Sequence, residues 1–198
     1  EFRRVLFRSA LLTAQGSGAD VIGLANAGTD LETTVKQAGQ FGLSDKLAAM
    51  MVYTNNIEAL TLQAAQGMRM SVSTYWDLND HTRALAARMM EKNGGKTPTM
   101  GQLGAYGAMR HYLEAVEAAG TDEPDAVAAK MREIPISSGL WENPKIQKNG
   151  RVTYDMLLVE VKSPEASKGP NDLYNIVAKI PADGLFRSAE ESGCPLVE

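Results

Sequence analysis

The chain has 198 residues, 44% of them hydrophobic and 22% charged, with a formal net charge of -4; this is globular composition, long enough for one large domain or two small ones. Lys and Arg are scattered instead of massed on one segment, so no phosphate-binding surface is indicated and nucleic acid is not an expected partner. No apolar run approaches the roughly 20 residues that span a bilayer, and no signal-peptide pattern is visible, so no direct membrane insertion is expected. One cysteine, Cys194, allows no intrachain disulfide, and with only His81 and His111 beside it there is no soft-ligand metal cluster.

Residues 1–9 are Arg-rich, lack an initiating methionine and match nothing in the rest of the chain, so they read as a non-native or scar segment. The run Ala19 to Ala25, apolar and partly β-branched, suits a strand buried on both faces of a parallel sheet. A helix is expected over Leu31 to Gln40, with Thr29 and Glu32 as a capping box and Gly42 as its stop. The pattern repeats: a strand from Lys46 to Tyr53, a polar turn Thr54-Asn55-Asn56, and a helix from Ile57 to Gln66 stopped by Gly67. Two successive strand–helix units imply a right-handed parallel sheet of the α/β class.

A third strand is expected from Met68 to Trp76, broken by Asp77-Leu78-Asn79-Asp80 in the manner of a domain crossover. Three helices come next: Thr82 to Lys92 capped by Asp80, a long one opened by Thr97 and Pro98 and ending near Gly120, and a short one between Pro124 and Pro135. Strands over Arg151 to Lys162 and Leu173 to Ile180 complete the chain as a long-looped hairpin. Met89, Met90, Met109 and Met131 read as core filler, and both histidines as solvated helix residues.

The sequence contains no Gly-x-Ser-x-Gly elbow, Walker loop, His-Glu-x-x-His or cysteine with a plausible base, so no catalytic residue, metal or cofactor is assigned and an enzyme is not expected. Open parallel sheets bind ligands beyond the carboxyl ends of their strands, and two such loops are legible. The first offers Asn26, Ala27, Gly28 and Asp30; capping accounts for Thr29 and Asp30 but less well for Asn26 and the glycine. The second offers Tyr53, Thr54 and Asn55, a phenol with polar groups suited to a small ligand, where capping by Asn55 is the competing account. Tyr75 and Trp76 at the third strand's end, and Tyr106 in the long helix, could stack on a ligand or pack in a core.

Taken in order, Ala19-Asp20-Val21-Ile22, Asn26-Ala27-Gly28-Thr29-Asp30, Gln37-Ala38 and Phe41-Gly42-Leu43 resemble the second lobe of type 1 periplasmic binding proteins. Ala64-Ala65-Gln66-Gly67-Met68, Tyr75-Trp76-Asp77-Leu78-Asn79-Asp80, Tyr106, Tyr112-Leu113-Glu114-Ala115-Val116 and Gly150-Arg151 resemble the branched-chain amino-acid-binding branch of that family. The resemblance runs from about Ala10 to the C-terminus. It implies a Rossmann-like, doubly wound lobe of an incomplete two-lobe protein, with a small ligand trapped when the lobes close.

On that resemblance, residues 10–76 are the second lobe, 77–150 helices of the first lobe, and 151–198 the hinge return and C-terminal strands. The upstream half, with its signal peptide and further ligand contacts, would lie outside this sequence. The implied role is the periplasmic substrate-binding component of an ABC transporter, with permease subunits as partners; the alternative is a ligand-sensing domain of a receptor or regulator with the same fold. In amino-acid-binding relatives a ring and an acidic group meet the ligand ammonium at positions matching Ala27 or Gly28 and Tyr53 to Asn56. No carboxylate stands in the second loop before Glu58, so an amide or aromatic acid is as suitable as a leucine-like ligand.

Overall fold

Strand, polar turn and helix do alternate as the apolar pattern predicts, in a computed structural model that describes residues 2–195. The chain divides into two units: residues 1–72 with 157–178, and residues 73–156 with 179–198. It therefore passes from one unit to the other at 72/73, 156/157 and 178/179.

The first unit opens with α1 (Phe2–Gly16), a single helix in which the segment 2–9 continues without a break into residues 10–16. Its five-stranded sheet has the order β1 (Ile22–Leu24), β2 (Leu47–Ala49), β3 (Arg69–Val72), β6 (Met156–Val161), β7 (Tyr174–Ile180). β1, β2 and β3 run parallel, with Ile22 opposite Leu47 and Ala49 opposite Met70; β6 is antiparallel to β3. The predicted pairing of the two late segments holds to the extent that β6 and β7 are neighbours.

Helices α2 (Gly28–Gln40) and α3 (Thr54–Leu60) bury Leu31, Val35, Ala38, Ile57 and Leu60 almost completely. The strands contribute Leu24, Met70, Val72, Leu157, Val159 and Val161 to the buried set. Each large apolar side chain so buried is worth about 1.5–3 kcal/mol, and these set the register of the sheet. Arg69 and Glu160 pair across the β3–β6 ladder at 2.9 Å, but Arg69 is largely exposed and the pair adds at most about 1 kcal/mol.

Several boundaries differ from expectation. β1 is an edge strand of three residues, with Val21 63% exposed, so it is not buried on both faces. The strand predicted over Lys46 to Tyr53 is confined to Leu47–Ala49, because Ser44–Lys46 forms a 3-10 turn and Met50 and Met51 point into solvent. The helix predicted over Ile57 to Gln66 starts earlier, at Thr54, and breaks at Thr61, whose φ of 69° ends α3 before the short α4 (Leu62–Ala65). β3 ends at Val72, so Tyr75 and Trp76 come after the strand instead of closing it.

In the second unit, α5 (Asp80–Lys92), α6 (Met100–Ala119) and α7 (Pro124–Glu133) match the three predicted helices. Their caps do not all match. Asn79, not Asp80, caps α5: its Oδ1 accepts the Thr82 N–H at 2.9 Å while Thr82 Oγ1 accepts the Asn79 N–H at 3.0 Å. Asp80 instead holds Arg83 at 2.6 Å. α6 opens at Thr99, whose hydroxyl and the Gln102 side chain cap each other's backbone.

His111 is not solvated: it is 4% exposed, with Nε2 2.8 Å from the Met131 carbonyl of α7. Met109, expected in the core, is 59% exposed. The long strand predicted from Arg151 is divided, with Val152–Thr153 (β5) pairing antiparallel to a short strand missed in the sequence, β4 (Lys145–Ile146), around Gly150.

The core of this unit is Leu85, Leu103 and Leu140, with Met89, Tyr106 and Trp141 packed on it. Gly107 makes that packing possible, since a Cβ there would stand 2.5 Å from the Trp141 ring and 3.1 Å from Leu140. Gly107→Ala should therefore cost about 1–3 kcal/mol through overpacking. Gly104→Ala, one turn earlier with nothing within 4 Å of its added carbon, should gain about 0.5–1 kcal/mol of helix propensity. Urea midpoints of the two variants check this, and equal shifts would refute it.

Candidate ligand-binding site

Parallel pairing of β1 with β2 sets their carboxyl ends side by side, and the connections β1→α2 and β2→α3 leave from those ends. The structure thus brings together Asn26, Ala27, Gly28 and Asp30 from the first connection with Tyr53, Thr54 and Asn55 from the second. Tyr75, Trp76 and Tyr106 belong to the other unit.

The first connection is fixed by an ordered set of hydrogen bonds. The Thr34 hydroxyl donates to the Asp30 carbonyl at 2.7 Å, so its oxygen must accept from Asn26 Nδ2, also at 2.7 Å. That orients the Asn26 amide and leaves its Oδ1 buried with no partner among the described residues. The predicted Thr29–Glu32 capping box is absent, because α2 begins at Gly28 after Ala27 and carries no side-chain cap. Gly28 has φ of 58°, a conformation that side chains rarely adopt, and its residue type is thereby explained.

Glu32 does something else. Its Oε1 accepts from Asn56 Nδ2 at 3.0 Å, while Asn56 Oδ1 accepts the Tyr53 N–H at 3.1 Å. One buried amide thus caps α3 from its third residue and ties the second connection to α2. Asn55, expected to cap, is exposed, and no hydrogen bond of its side chain is present among the described residues. Thr54 is 6% exposed and its hydroxyl is buried without a partner among them. Sequence reasoning missed the Asn56–Glu32 bond, which joins residues 24 apart; the amide three residues after Tyr53 hints only at the cap.

In the second unit, Tyr75 is 5% exposed and meets Trp76 edge-on, centroids 5.8 Å apart. Tyr106 lies at the edge of the Leu103 core and interacts with Arg110, whose pKa is raised first by Glu114 and then by Tyr106. Glu114 accepts from Arg110 at 2.8 Å and from the Ser137 hydroxyl at 2.7–2.8 Å; these bonds, Arg110 first, hold its carboxyl below the usual range. The described residues contain no cluster of three His, Cys, Asp or Glu able to hold a metal ion. None of their helices is long and apolar enough to cross a membrane.

This arrangement of polar loops at the ends of parallel strands agrees with a family model for periplasmic binding proteins, which matches residues 6–170. The chain belongs to the periplasmic binding protein family. A periplasmic binding protein from Burkholderia mallei is 37% identical over 97% of this chain, with a TM-score of 0.87. A branched-chain amino acid ABC transporter periplasmic ligand-binding protein from Burkholderia xenovorans is 35% identical over 97%, with a TM-score of 0.88. The chain covers 51% and 52% of those two structures, about half their length.

A solute-binding protein from R. palustris in complex with benzoate shares the fold at 18% identity and a TM-score of 0.75, covering 96% of this chain and 50% of that one. Among curated proteins none matches. The type 1 periplasmic-binding fold expected from the sequence is thus present, and the relatives of this binding-protein chain are solute-binding proteins, not enzymes.

The tie between the two connections gives a direct prediction. Asn56→Ala removes the cap on Tyr53 and strands Glu32, and should destabilise the chain by about 1–3 kcal/mol. Asn55→Ala next to it should stay within about 0.5 kcal/mol of the parent. Denaturant unfolding distinguishes them; equal effects would show that Asn56 is not the anchor.

Proposed function

We propose that the chain is part of the substrate-binding component of an ABC-type uptake transporter, holding a small metabolite against the strand-end loops of its first unit. The loaded protein then delivers that ligand, in the periplasm, to membrane permease subunits. The observation that carries this reading is the pair of buried polar atoms at the carboxyl ends of adjacent parallel strands, Asn26 Oδ1 and Thr54 Oγ1. An unpaired buried group costs about 1–3 kcal/mol, a cost that a ligand's polar groups would remove, and open α/β sheets take their ligands at this place.

In this reading Asn26, Ala27, Gly28, Asp30, Tyr53, Thr54 and Asn55 form the ligand surface, all within the first unit. Glu32 is already bonded to Asn56, and Glu58 lies within α3, so neither stands free at the second connection. A branched-chain amino acid, an amide or an aromatic acid is the ligand class this supports. The B. xenovorans protein, a branched-chain amino acid transporter component, and the R. palustris protein, solved in complex with benzoate, fall in the same range.

A thermal-shift screen of the parent protein against amino acids, amides and aromatic acids tests the reading, since a ligand that binds only the folded state raises the melting temperature. A selective shift that Asn26→Leu abolishes is expected. A shift from no compound in those classes would sink it.

A further inference from the structure

The second unit contains a cleft of about 650 Å3 that shares no residue with the loops above. It lies between the β4–β5 hairpin and the segment 181–188, and its size falls within the roughly 300–1,000 Å3 of small-molecule sites. Its walls are held in place. Asp155 accepts the Ala182 N–H at 2.9 Å and the Asn143 side-chain amide at 2.8 Å, which fastens the C-terminal segment to the hairpin. Phe186, on the lining, meets Tyr154 edge-on at 5.8 Å, and Tyr154 stacks on Trp141 at 5.4 Å.

Against these fixed walls stand groups that the fold does not use. Gln147 Oε1 is buried and has no partner among the described residues, an acceptor that calls for a donor. Lys145 and Asp183 line the same cleft, and neither has an ion-pair partner among the described residues. The lining sets the one cation Lys145 against the carboxylates of Asp155 and Asp183, so it does not favour an anionic ligand. Donors and acceptors together with an aromatic ring suit a molecule with several hydroxyls and an apolar C–H face. We propose that this cleft binds a neutral polyhydroxylated molecule of monosaccharide size.

Saturation-transfer NMR on the 198-residue chain, with D-glucose, D-galactose and myo-inositol each at about 10 mM and with leucine and benzoate as comparators, tests this. At least one polyol should show transfer with a Kd near 1 mM. Binding should weaken tenfold or more in Gln147→Leu and in Phe186→Leu, and stay unchanged in Glu91→Gln, on exposed α5 surface. If Gln147→Leu disturbs the hairpin by circular dichroism, Lys145→Met, at an exposed position, should show the same loss with the fold intact. Transfer to none of the polyols, or transfer that survives these substitutions, overturns the proposal. Either result leaves the strand-end site to its own test, because the two share no residue.

Discussion

The ligand surface proposed for the first unit depends on the side-chain amide of Asn56. Adjacent parallel strands bring two connections together, but backbone pairing ends at Leu24 and Ala49 and does not position the residues beyond them. Asn56 positions the second connection, by accepting from Tyr53 and donating to Glu32, which fastens the entry into α3 to the first turns of α2. The buried amide works because both of its ends are satisfied; a half-satisfied one would cost more than an apolar side chain in its place.

In the same two connections Asn26 Oδ1 and Thr54 Oγ1 are buried without protein partners among the described residues. Their position at strand carboxyl ends, in a chain that belongs to the periplasmic binding protein family, is what the proposed ligand role rests on. The absence of a side-chain cap on α2 is consistent with the same use, since first-turn N–H groups are then left for other acceptors.

How much was legible in the sequence depends on the range of each signal. The β1–α2 and β2–α3 alternation, the three helices of the second unit and the loops carrying Asn26 and Tyr53 are written in local apolar periodicity, and they were found. Short strands were overextended because Met50, Met51 and Val21 are apolar yet exposed, and periodicity cannot see which face is covered. The sequence places the caps at Asp80 and Asn55, one residue from Asn79 and Asn56, because adjacent Asn or Asp residues give the same local signal and only the backbone turn selects between them. His111 was read as solvated because its partner, the Met131 carbonyl, comes from another helix. Interactions between distant segments, such as Glu32 with Asn56 or Asp155 with Ala182, leave no trace in spacing at all.

The most direct test of the strand-end account is an amide chemical-shift map of the 198-residue chain titrated with the ligand that stabilises the parent protein. The account predicts perturbations concentrated in residues 26–30 and 53–56, and their loss in Asn26→Leu. Perturbations that spare both connections while the ligand demonstrably binds would contradict it.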